Sequence, residues 1–188
     1  VILRRLLPVL GLACLVAAAS ALAPEGTPRA FGPQEALARV GGRLPPFTLP
    51  PATGGPTRRP FRMGEHLGRN PVVILFWATW CGPCQQELPF YESLYQRYRD
   101  QGLQIVGISM DNQSTVMRAG PHARRLGVTF DIVTDLDTRV TTQINPRRSA
   151  PFSIWVGRDG RVTWEREGFA PAEQGRIAQG IRELVEGS

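Results

Sequence analysis

The run Val72-Val73-Ile74-Leu75-Phe76-Trp77 constrains this chain more than any other stretch. It is apolar without a break, so it reads as a strand buried on both faces rather than one with a wet side. Beyond it stands Cys81-Gly82-Pro83-Cys84, and a helical pattern follows at once. The order of strand, cysteine pair and helix puts two thiols at the mouth of a helix, on the C-terminal edge of a sheet. Thiols so close can pass between dithiol and disulfide, which makes electron transfer the first chemistry to weigh.

Two other uses of a C-x-x-C fit less well. As a staple, a loop this short stabilises a fold by only about 2 kcal/mol on chain-entropy grounds, against roughly 4.7 for a loop of a hundred residues. As half of a zinc site it lacks the other half. The third cysteine, Cys14, lies in the apolar N-terminal segment, and His66 and His122 are far apart. Within the pair, Cys81 falls at or next to the helix N-cap, where unpaired N–H groups and the macrodipole stabilise a thiolate. Lowering a thiol pKa from about 8.5 to about 7 raises its ionised fraction at neutral pH from a few per cent to about half. Pro83 suits the first helical turn, where its missing N–H costs nothing. Cys84, one turn further in, is expected to be more buried and to act as the resolving thiol, with Trp80 over the pair.

The stretch Phe76-Trp77-Ala78-Thr79-Trp80-Cys81-Gly82-Pro83-Cys84 resembles the active site of the thioredoxin superfamily. With Glu87-Leu88-Pro89 added, it is similar to the membrane-linked, extracytoplasmic branch, the TlpA/ResA-like thiol-disulfide oxidoreductases. The likeness runs from about Leu44 to the C-terminus. It implies an α/β protein of thioredoxin fold: a central mixed β-sheet flanked by helices, with an N-terminal β-hairpin and an inserted helix–strand pair. Peroxiredoxins share that fold, but their pattern wants Thr or Ser where this chain has Ala78, and Cys84 supplies a second cysteine.

Composition bounds the rest. The chain has 188 residues and a net charge of +6, and its 22 basic residues are all arginine. They are scattered without interleaved aromatics, which describes a solvated surface and speaks against nucleic acid. Arg4-Arg5 precede an apolar stretch that ends in Ala17-Ala18-Ala19-Ser20-Ala21-Leu22-Ala23, the layout of an export signal. Residues 1–23 are therefore expected to be a signal peptide, or a membrane anchor if left uncut. Residues 24–42, rich in Pro, Gly and Ala, are expected to be a flexible linker, and residues 43–188 the thioredoxin-like domain. The expected location is periplasmic or otherwise extracytoplasmic.

Along the domain, Leu44 to Pro50 and Pro56 to Phe61 suit an edge hairpin, with prolines at its margins. A helix is expected from the cysteines to about Asp100, burying Leu88, Tyr91, Leu94, Tyr95 and Tyr98 and kinked at Pro89. Leu103 to Met110 reads as a second buried strand, parallel to the first. A helix within Asp111 to Leu126, broken near Gly120-Pro121, leads to a strand at Thr129 to Val133. A further helix is expected at Asp137 to Ile144. A hairpin turns at Arg158-Asp159-Gly160, and a last helix buries Ile177, Ile181, Leu184 and Val185.

The resemblance also implies roles. Pro151 corresponds to the cis-proline that faces the thiol pair, and Ala150 before it offers backbone hydrogen bonds to an extended substrate. Glu87 matches a glutamate that tunes the buried thiol and moves its proton, and it shares a helical face with Cys84. Leu75 occupies the place where thioredoxin itself has an Asp. Cys81, Cys84, Glu87 and Pro151 are thus the expected catalytic set, with Trp80, Gly82, Pro83 and Ala150 around the substrate, and no metal or cofactor. The implied activity is reduction of disulfides in extracytoplasmic client proteins, in cytochrome c maturation or copper-site assembly. The implied electron source is a membrane thiol reductant of the DsbD/CcdA kind, and the expected state is a monomer. Asn145 to Pro151 lacks the Gly-Val-x-Gly-x-Pro run of the cytochrome c specialists. A Cu(I)-binding metallochaperone, holding soft copper on the two thiolates, is one alternative. A disulfide-forming oxidant is another, against which Gly82-Pro83, the dipeptide of reducing thioredoxins, argues mildly.

Overall fold

The computed structural model describes residues 40–187. The expected leader and most of the expected linker lie outside the described residues. Five strands form one sheet: β3 (Val72–Trp77), β4 (Gln104–Ser109), β5 (Asp131–Thr134), β6 (Phe152–Val156) and β7 (Val162–Glu167), in the order β5-β4-β3-β6-β7. β4 runs parallel to β3 and β5 parallel to β4, whereas β6 and β7 are antiparallel. The apolar run of β3 is central and wholly buried, which is why it shows no polar alternation. Its residues divide between two cores. Val73, Leu75 and Trp77 face the layer of helices α1 (Cys84–Tyr98), α2 (Ala119–Arg125) and α4 (Gln174–Glu186). Val72, Ile74 and Phe76 face α3 (Arg139–Ile144) and the N-terminal hairpin of β1 (Thr48–Leu49) and β2 (Phe61–Arg62).

The hairpin is present, but each strand is two residues long. Prolines at 45, 46, 50, 51, 56 and 60 remove ladder donors on both sides, so pairing cannot spread. Its chain also seals the sheet. Gly41 N–H donates to Val162 O (2.7 Å) and Val162 N–H to Gly42 O (2.8 Å), covering the start of β7. Ala52 N–H donates to Ile132 O and Thr134 N–H to Pro50 O, covering β5 on the opposite edge.

α1 buries Leu88, Tyr91, Leu94 and Tyr98, with Tyr95 at the margin. It continues through Pro89, which lies on the exposed side where water can serve the carbonyl that lost its donor. The expected break at Gly120-Pro121 does not occur. The preceding turn, Val116–Arg118, is a tight 3-10 segment, and Pro121 sits in the first turn of α2, where no N–H is required. Gly120 is there for contact: a Cβ on it would fall 2.3 Å from Thr53 O and 2.4 Å from Gly55 N. The inserted pair is α2 and β5, laid beside β4.

Candidate active site

The C-terminal end of β3 gathers the chemistry. Leaving Trp77, the chain turns through Ala78, whose carbonyl accepts from Cys81 N–H (3.1 Å). Asp111, just past the end of β4, holds this turn. Its carboxylate accepts from Thr79 N–H (3.0 Å), from Thr79 Oγ1 (2.5 Å) and from Ser109 Oγ (2.9 Å). Asp111 is buried, so three donors around one carboxylate offset its desolvation.

Cys81 and Cys84 are joined as a disulfide, with their Cα atoms 5.3 Å apart. Cys84 is fully buried at 0% exposure, and Cys81 keeps 4%. Cys84 N–H points at Cys81 Sγ (3.3 Å), so an unpaired N–H of the first helical turn already faces the sulfur that would carry charge on reduction. Gly82 and Pro83 are exposed beside it. Trp80 is 63% exposed and stands at the rim, rather than lying over the pair as a lid.

Pro151 arrives at the same sheet end. Phe152 pairs with Phe76, so the residue before it lies level with Trp77, where β3 hands over to the cysteine turn. The Ala150–Pro151 bond is cis, and Pro151 O accepts from Gly168 N–H (2.8 Å). Ala150 packs against the core cluster that contains both cysteines.

Glu87 is 1% exposed, one turn beyond Cys84 on the buried side of α1. Burial pushes its pKa up to about 8, with the Arg166 guanidinium pulling the other way. Its Oε2 has no hydrogen-bond partner, and the same holds for Arg166 Nη1. Ser153 and Arg166 are register partners on β6 and β7, and Leu75 is the partner of Ser153 on β3, so all three share the face under α1. Tyr91 joins them, accepting from Trp155 Nε1 (3.3 Å), and its phenol is pushed up by burial and then by Glu87. A cluster of polar groups therefore lies within the apolar core, one helical turn beyond Cys84. Sequence reasoning found Glu87 but missed Asp111, Ser153 and Arg166, because register rather than local spacing brings them in. Neither histidine belongs to the cysteine pair: His66 stacks on Phe61 (5.1 Å), and His122 stands against Trp77 (6.1 Å). Among the described residues, no three His, Cys, Asp or Glu stand close enough to hold a metal ion.

A mixed sheet of this order, with a bonded C-x-x-C at the mouth of α1 and a cis-proline at the same edge, defines a thioredoxin-like fold with a dithiol–disulfide site. A profile described as the AhpC/TSA family matches residues 40–165, and the chain belongs to that family. Among curated proteins it is 29% identical over 134 residues to the thiol-disulfide oxidoreductase ResA of Geobacillus thermodenitrificans, covering 70% of this chain and 71% of the relative. Among solved structures it is similar to a Chlorobium tepidum protein assigned as a thiol:disulfide interchange protein DsbE. That match has a TM-score of 0.69 and 25% identity, and covers 78% of this chain and 98% of the other. A secreted Mycobacterium tuberculosis disulfide oxidoreductase, homologous to E. coli DsbE, shares the fold. Its TM-score is 0.61 at 19% identity, over 73% of this chain and 96% of that one.

Proposed function

We propose that this thiol-disulfide oxidoreductase reduces disulfides of client proteins outside the cytoplasm. The observation that carries the exchange is the asymmetry of the pair, since Cys81 keeps 4% exposure where Cys84 keeps none, while the reducing direction is supported by the Gly82-Pro83 resemblance. In the reduced protein, the Cys81 thiolate attacks one client sulfur. A Cys81–client bond forms, the client S–S bond breaks, and the second client sulfur leaves as a thiolate and takes a proton from water. Glu87, mostly protonated below its pKa of about 8, then takes the Cys84 proton through the fraction in which its carboxyl is ionised, a fraction that grows as pH approaches that value. The Cys84 thiolate attacks Cys81 Sγ, the mixed disulfide breaks, and Glu87 passes its proton to the departing client sulfur. Two electrons and two protons reach the client, and Cys81–Cys84 is left oxidised.

In this scheme the Ala150 backbone, ahead of the cis bond to Pro151, lines up the client segment, and Trp80, Gly82 and Pro83 form the rim it crosses. The N-terminal segment serves export or anchoring. A membrane thiol reductant of the DsbD/CcdA kind restores the dithiol, and the clients are cysteine pairs awaiting haem in cytochrome c maturation or copper in oxidase assembly. The resemblance of the cysteine motif and the ResA relatives support these parts. Equilibration in thiol buffers tests the direction of flow. A reduction potential near about −270 mV is expected for a reductant, and one near about −120 mV would make the protein an oxidant of folding chains instead.

A further inference from the structure

A groove of about 500 Å³ opens beside the cysteine turn, between Thr79-Trp80 and the inserted element. Its far wall is built from Met117 and Arg118 of the 3-10 turn and from His122 and Arg125 of α2. Two properties coincide in it. Trp80 and Met117, at 63% and 61% exposure, are two of the four large hydrophobic side chains left exposed among the described residues. Apolar surface of that kind beside a reactive centre marks a contact site more readily than scattered exposure does. The groove is also net cationic, with two arginines facing a single opposing charge, the Asp111 carboxylate, which acts on His122. Arg118 and Arg125 enter no ion pair among the described residues. Asp111 is buried behind the cysteine turn, with its oxygens bonded to Thr79 and Ser109, so it makes no ion pair with either arginine. Arg125 Nη2 donates toward His122 Nδ1 (3.3 Å), and burial followed by the Arg125 charge holds the imidazole below its usual pKa, so the groove's charge belongs to the two arginines.

We propose that this groove docks a client segment carrying carboxylates and an apolar side chain next to its reactive cysteine. Trp80 immediately precedes Cys81, so a peptide whose sulfur has reached Cys81 lays its neighbouring residues along Trp80 and Met117. Guanidinium groups on the far wall then take the carboxylates, by steering and by forked hydrogen bonds. The inference rests on the exchange reading above and deepens it, because the inserted α2 becomes the element that chooses among clients.

The test uses the reduced protein and three small disulfides as probes: anionic oxidised glutathione, cationic cystamine and uncharged bis(hydroxyethyl) disulfide. Rates of Cys81–Cys84 oxidation are followed at low and high salt. The expected order is anionic, then neutral, then cationic, with the spread shrinking in salt. Arg118→Glu should slow the anionic probe and speed the cationic one by roughly tenfold each, leaving the neutral probe within about twofold. Arg182→Glu on the exposed face of α4 changes the net charge equally and should leave the order intact. A flat order in the parent protein, or equal effects of Arg118→Glu and Arg182→Glu, overturns the groove. So does concentration-dependent self-association that Trp80→Ala abolishes, which would give the surface to a second copy. If none of the three disulfides oxidises the pair, the exchange reading itself falls; a reactive neutral probe with no charge order fails the groove alone.

Discussion

At the scale of single residues, Glu87 sets the strongest expectation. Its carboxyl is neutral in the fold up to about pH 8 and ionises from about 4.5 when unfolded. Between those values the unfolded chain has lost a proton that the fold retains, so stability falls as pH rises and levels off above the upper value. The slope is about 1.4 kcal/mol per pH unit. Glu87→Gln should flatten it, as read from urea midpoints of the oxidised protein across the window. Arg166, the charge that opposes the upward shift, has a nearly buried side chain bonded to Glu173. Arg166→Met should move the Glu87 titration to still higher pH, visible in the carbon-13 shift of its carboxyl. Unchanged titration would show that Arg166 serves only Glu173. The closeness of Cys81, Cys84 and Glu87 was legible in the sequence because they fall within two helical turns, whereas the cis bond at Pro151 was expected from resemblance and from the hairpin that follows it. Asp111 was not, since its bond to Thr79 spans a separation of 32 residues and depends on β3 and β4 lying in register.

Among the elements, α2 shows how a local signal misleads. Gly-Pro marks a break when only neighbours are considered, yet here both residues belong to one helix end. The glycine is demanded by the loop at Thr53 to Gly55, more than sixty positions away in sequence, which no local pattern announces. Gly120→Ala should therefore destabilise the protein by about 1–3 kcal/mol even though alanine favours helices. Thermal unfolding checks this, at about 2–4 °C per kcal/mol for a domain of this size. A melting temperature that stays level or rises would mean the loop yields freely. By contrast α1 was legible nearly to its end and the buried face of α4 in full, because their apolar positions recur at helical spacing. The hairpin was legible in place but not in extent, since prolines that flag an edge also cut its ladder short.

For the whole molecule, the net charge of +6 is carried by arginine alone, and its surface ion pairs are mostly exposed and worth little each. Cohesion comes instead from a sheet with a core on each face, covered by the residues ahead of β3 at the start of β7 and along part of β5. That cover also fixes where the chain enters. Gly41 and Gly42 lie against Val162, which is level with Val156 and Val72, at the start of β3. The cysteines lie past its other end, about 20 Å away for six residues of strand. Residue 40 and the disulfide therefore lie toward opposite ends of β3. Coupled to a resin through the amine of Val40→Lys, the reduced protein should reduce a small disulfide at the rate it shows in free solution. A severalfold loss would mean the two ends communicate. An attachment made at residue 40 is thus made at the end of β3 away from Cys81, and leaves the approach to that sulfur clear.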